Sequence, residues 1–172
     1  NYRVETLATK AENTKALRGQ LGLEQAPRKP LLGMITRLTY QKGLDLLVPL
    51  IPDIILEGAQ IVLLGSGDKD LEQRLKQYAK LSPTQISVTL GFDEKLSHQI
   101  IGGADMFLMP SRFEPCGLTQ MYSMRYGTIP IVRRTGGLAD TVVNATPANL
   151  DRKTATGFWF EEEDSQQLFR CL

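Results

Sequence analysis

DMFLMPSRFEPCGLTQMYSMRYGTIPIVRRTGGLADT, residues 105–141, carries the pattern that decides the fold. It opens on DMFLMP (105–110), an apolar run too short for a helix and suited to a buried strand. A polar turn holding Pro115 and Gly117 follows. LTQMYSMRYG (118–127) has helical spacing and stops at Gly127, in C-cap position. TIPIVR (128–133) is a second apolar run, and Gly136 and Gly137 lead into a brief helix at 138–143. Strand, helix, strand, helix is the unit of a parallel sheet, because parallel neighbours need a crossover between them.

The same alternation extends upstream. LLGMITR (31–37), QIVLLG (60–65) and ISVTLG (86–91) read as strands. They are continuous rather than alternating, as strands buried on both faces should be. GLDLLVPLIPDIILEG (43–58), DLEQRLKQYAKL (70–81) and EKLSHQIIGGA (94–104) have helical spacing. Pro49 and Pro52 kink or shorten the first of these. Gly58 sits in C-cap position, and Ser66 or Asp68 caps the helix that follows. Residues 1–23 read as a helix leading into the domain, 26–30 as a linker, and 144–156 as a polar surface loop. GFWF (157–160) reads as an apolar patch before a last helix. The expected fold is α/β, a doubly wound parallel sheet forming a single domain over 1–172, with its core at 31–172.

Composition narrows the function. At 172 residues the chain is one domain. Twenty basic against 19 acidic residues give a net charge of +1. That balance argues against nucleic acid or an anionic membrane surface as partner, since both select a basic surplus. The longest apolar runs are about five residues, where a membrane span needs about 20. NYRVETLATK at the start has no apolar signal region. Cys116 and Cys171 build no disulfide framework, and a lone His98 cannot supply a multi-histidine metal site. No cofactor or metal is expected. These features fit a reducing compartment. The chain begins without Met and stops inside SQQLFRCL, so it reads as a piece of a longer protein.

In open parallel sheets ligands bind beyond the carboxyl ends of the strands, which directs attention to four loops. Arg37 and Lys42 flank RLTYQKG, with Lys42 and Gly43 expected to begin a helix. Two cations at a helix N-terminus make an anion site; the plain alternative is two solvated surface cations. SRFEPCGLT (111–119) offers Glu114, Cys116 and Gly117, with N–H groups of Gly117, Leu118 and Thr119 at a helix start. The plain alternative there makes Glu114 a helix-dipole partner and Cys116 a small buried hydrophobe. RRTGGLAD (133–140) offers two glycines for close approach of backbone or ligand, with Arg133 and Arg134 open to solvent. Phe92, after the third strand, either covers a flat base or packs in the core. Gly65-Ser66-Gly67 lacks the full dinucleotide fingerprint. His98 on its helix reads as structural, and Glu161 to Asp164 as a solvated helix start.

RLTYQKGLDLL together with GFDEKLSHQIIGGADMFLMPSRFEPCGLTQMYSMRYGTIPIVRRTGGLADTV resembles bacterial glycogen synthases and plant starch synthases. The resemblance covers about residues 10–172 and implies the Rossmann-like, nucleotide-sugar-binding C-terminal half of a GT-B glycosyltransferase. It implies a retaining transfer of glucose from ADP-glucose to an α-1,4-glucan, in the bacterial cytoplasm or the plastid stroma. By the same resemblance Arg37 and Lys42 hold the donor diphosphate, Glu114 meets the transferred glucose, and Cys116 and Gly117 line its pocket. Leu118 and Thr119 present N–H groups to the distal phosphate, and Phe92 stands where many relatives place tyrosine against adenine. Tyr122 stands where related glycosyltransferases carry a second glutamate, so that position offers no carboxylate to a ribose. The N-terminal domain, with the family's catalytic histidine and acceptor surface, lies outside this chain. A non-catalytic nucleotide- or glucan-binding regulatory module, or a degenerate synthase, is the competing reading.

Overall fold

A computed structural model describes residues 2–172. Among them, one six-stranded sheet is entirely parallel. Its strands are β1 (Leu31–Ile35), β2 (Gln60–Gly65), β3 (Ile86–Leu90), β4 (Met106–Met109), β5 (Ile129–Arg133) and β6 (Phe158–Phe160). Their order across the sheet is β3-β2-β1-β4-β5-β6. Strand order therefore reverses between β1 and β4, the topological switch point of a Rossmann-like fold. The connecting helices are α1 (Lys10–Gln20), α2 (Leu44–Leu47), α3 (Ile51–Leu56), α4 (Lys69–Leu81), α5 (Glu94–Gly103), α6 (Thr119–Arg125), α7 (Gly136–Thr141), α8 (Pro147–Asp151) and α9 (Ser165–Phe169).

Successive side chains of a strand point to opposite faces, and both faces of this sheet are covered. Ile61 and Leu63 of β2 join Leu47, Ile51 and Ile54 from the α2–α3 segment, Leu75 of α4 and Leu168 of α9. Val62 and Leu64 of the same strand join Leu17 of α1 and Leu96 and Ile100 of α5 on the other side. Phe107 of β4 is fully buried in that second cluster. This double burial is why the strands read as unbroken apolar runs.

The prolines act as their chemistry requires. The helical stretch after Gly43 breaks into α2, a 3-10 turn Val48–Leu50 holding Pro49, and α3, which opens with Pro52. Asp68 caps α4 by accepting from the Asp70 and Leu71 N–H groups. Three expectations need correction. GFWF is no loose patch: Phe158–Phe160 pairs with β5 as the sixth strand. The polar loop at 144–156 contains α8, started by Pro147 and capped by the Thr146 hydroxyl, which accepts from Asn149 N–H. The leading helix is a 3-10 segment, Val4–Thr9, followed by α1; Asn1 lies outside the described residues. No helix among the described residues is long and apolar enough to cross a membrane.

Candidate functional site

The loops leaving β1 and β4 meet over the switch point. Leu38 ties the start of the β1 loop to the β2 loop: its N–H donates to Ser66 O at 2.9 Å and its carbonyl accepts from Asp68 N at 2.8 Å. A 3-10 turn, Tyr40–Lys42, then ends at Gly43 with φ +71°. A Cβ on Gly43 would overlap the carbonyl oxygen of Pro110, at the end of β4. Glycine here lets the two loops touch.

The β4 loop rests on α7. Gly137 N donates to Glu114 O at 3.0 Å. A side chain on Gly136 or Gly137 would collide with the Glu114 or Cys116 carbonyl. The glycine pair foreseen in RRTGGLAD thus seats a neighbouring loop, and with it Glu114.

Where the two loops face each other, Lys42 Nζ and Glu114 Oε2 lie 2.5 Å apart, with side chains only 18% and 12% exposed. Ser111 Oγ adds a bond to the same Glu114 oxygen at 3.3 Å. The pair borders a cleft of about 120 Å³, lined also by Thr36, Gly117, Leu118 and Thr119. The first N–H groups of α6 have no partner within their helix, and its N-cap Leu118 and first residue Thr119 line this cleft. Arg37 is exposed and does not line this cleft; its guanidinium makes no hydrogen bond or ion pair among the described residues. Two buried side-chain oxygens lack a partner among those residues: Thr39 Oγ1 in the β1 loop and Gln120 Oε1 below the β4 loop. Both flank this cleft's loops.

The structure corrects several sequence expectations. Lys42 and Gly43 do not begin a substantial helix: α2 is a single turn starting at Leu44, so its dipole is small. The N–H groups at the cleft belong to α6 instead. Lys42 is no solvated cation, and Glu114 makes an ion pair rather than serving only a helix dipole. Cys116 is exposed, not a buried hydrophobe, and unlike Gly117 it does not line the cleft. Arg133 is not open to solvent: it donates to Ser111 O at 3.0 Å and to Arg112 O, bracing the β4 loop. Arg134 pairs with Glu161 at 2.9 Å and lies over the Trp159 ring. His98 is exposed on α5, 4.0 Å from Glu94, and fills no core. Phe92 is 85% exposed beyond β3, which removes the core reading; it does not line the cleft. In the acidic run, Asp164 caps α9, Glu161 pairs with Arg134 and Glu163 with Arg112.

Arg112 escaped the sequence reading. Its side chain, 12% exposed, forms a two-pronged pair with Asp45 at 2.6 and 2.8 Å. It also donates to Tyr40 O at 2.7 Å and lies 3.6 Å over the Tyr40 ring. Hydrogen bonding to Asp45 raises the Arg112 pKa above its ordinary value. The only signal in the sequence is an arginine next to a strand end, which is not distinctive.

The profile of the family described as glycosyl transferases group 1 matches residues 21–171. The chain belongs to the group 1 glycosyl transferases. It is 48% identical to the glycogen synthase of Pasteurella multocida over all 172 residues, which are 36% of that protein. It is 55% identical to the glycogen synthase of Nitrosospira multiformis over 162 residues, covering 94% of this chain and 33% of that one. The catalytic domain of starch synthase IV from Arabidopsis thaliana, solved bound to ADP and acarbose, superposes with a TM-score of 0.91 at 40% identity. That match covers 99% of this chain and 36% of the other. The chain thus spans about a third of these relatives, and its fold is the Rossmann-like domain of a GT-B glycosyltransferase.

Proposed function

We propose that this chain is the donor-binding domain of a retaining glucosyltransferase that moves glucose from ADP-glucose to the non-reducing end of an α-1,4-glucan. The observation that carries the reading is the Lys42–Glu114 pair at the switch-point cleft. Breaking the bond between glucose C1 and a diphosphate separates charge: the leaving oxygen gains negative charge and C1 becomes oxocarbenium-like. Arg37, Lys42 and the Leu118 and Thr119 N–H groups face the first charge. Glu114 faces the second, with Cys116 and Gly117 around the sugar. Fixed charges in a dry cleft usually supply the largest catalytic term. This reading assigns no step to a metal.

Phe92, exposed beyond β3, is assigned to the adenine face. An N-terminal domain would supply the acceptor site and close the cleft, in the cytoplasm of a bacterium or the stroma of a plastid. The names of the relatives and the ADP in the Arabidopsis structure support the donor class. Calorimetry of the chain with ADP, ADP-glucose and UDP-glucose tests the reading. Weak binding of ADP and ADP-glucose, with UDP-glucose weaker, is expected. No ADP binding at millimolar concentration would end the proposal, and equal affinity for both sugar nucleotides would end its base-specific part.

A further inference from the structure

The Lys42–Glu114 pair joins two loops that no strand pairing holds together, so something must fix its spacing. Arg112 stands two residues before Glu114. Its main chain is tied to the β5 side, where its carbonyl accepts from Arg133 and from Thr135 Oγ1 at 3.3 Å. Its N–H donates to Gln41 O at 2.8 Å. Its side chain grips Tyr40, two residues before Lys42, by a hydrogen bond and a stacked ring. It also grips Asp45, three residues after Lys42, by two parallel bonds. Arg112 Nε donates to Glu163 Oε2 of the β6–α9 connection at 3.0 Å.

From this geometry we infer that Arg112 is a positioning residue that sets the placement of Lys42 against Glu114 by clamping the β1 loop on both sides of Lys42. The inference rests on the proposed transfer reaction for its kinetic meaning. A guanidinium suits the task because its planar fork holds a carboxylate by two bonds while its face stacks on a ring. An ammonium of the same charge offers neither, so the clamp depends on shape as well as charge. Misplacing a catalytic group by about 1 Å costs about 100-fold in rate.

The test uses the full-length enzyme and the variants Arg112→Met, Arg112→Lys and Asp45→Asn, with Arg134→Met as the control. Arg134 makes a similar pair and stack but touches neither loop. In both Arg112 variants kcat should fall about 10- to 100-fold, with donor KM close to wild type. Asp45→Asn, which keeps Arg112 and so guards against a folding failure, should fall in the same direction. Arg134→Met should keep wild-type kcat. Because Arg112 acts through Lys42, Arg112→Met should add little further loss in a Lys42→Ala background. Amide exchange should quicken in 36–43 and 111–118 and nowhere else. Normal kcat in Arg112→Lys, full additivity with Lys42→Ala, or unchanged exchange in both loops would overturn the inference. A wild-type enzyme with no transfer from ADP-glucose would instead overturn the proposed function, and loop exchange would still decide the clamp.

Discussion

Lys42 and Arg37 read alike in the sequence but differ in what their removal exposes. Arg37 has no partner among the described residues, so Arg37→Ala should leave the melting temperature unchanged. Lys42→Ala strips a largely buried carboxylate of its cation and should lower the melting temperature by a few degrees. In the full-length enzyme each should cost about 2–4 kcal/mol of transition-state stabilisation. Wild-type turnover in both would show the clamp on the diphosphate to be misassigned. Glu114→Gln keeps size and hydrogen bonding but loses charge, so turnover should fall sharply with little change in donor KM. A changed melting temperature with normal turnover would leave Glu114 a purely structural ion-pair partner. Far from the cleft, Lys10 Nζ is buried against Thr128 Oγ1 at 2.6 Å and two carbonyls. Burial pushes its pKa down from 10.5 to about 8, against an opposing pull from Asp105. Between those pH values the unfolded chain holds a proton that the folded chain has released, so this residue's contribution to stability rises with pH. The stability of wild type relative to Lys10→Met should therefore grow from pH 8 to 10.5; a constant difference would mean that Lys10 stays charged in the fold.

At the scale of elements, one pair of glycines offers a controlled comparison. Gly43 and Gly22 share a φ of +71°, but only Gly43 lies against another chain segment, at Pro110; around Gly22 there is open space. Alanine at either site carries left-handed strain of about 1–2 kcal/mol. Gly43→Ala must also push the β1 loop off β4, so it should lose clearly more melting temperature and nearly all activity. Equal losses would show that the loop contact is soft. The elements also show what a sequence can and cannot announce. Five strands were legible as apolar runs, and Asp68 and the two prolines declared their roles. β6 was not legible, because three residues carry no period and exist as a strand only by pairing with β5. α8 was missed although Thr146-Pro147 is a helix-start signal, because its polar composition outweighed it. The cleft residues Lys42 and Glu114 could be named because they lie in the loops that follow strands, whereas Arg37, named on the same ground, does not line the cleft. The convergence of Lys42 and Glu114 depends on strand order, which local sequence does not encode, and the Arg112 clamp depends on it too.

For the molecule as a whole, strand order also imposes a schedule on the growing polypeptide. β1 forms the middle of the sheet, yet its two neighbours arrive far apart: β2 follows soon, whereas Leu32 pairs with Met106 of β4. A ribosome delivering the chain from its N-terminus therefore releases β1, β2 and β3 first, with one flank of β1 unpaired and the apolar Leu31–Ile35 row uncovered. Open apolar edges recruit other chains. Chains stopped before residue 105 should aggregate, while chains extended through β6 to about residue 160 should become soluble, as sedimentation of the two truncations would report. Equal solubility would mean that the early half shields its own edge. The strand that brings Glu114 to its cleft is thus also the one that closes the open flank of β1.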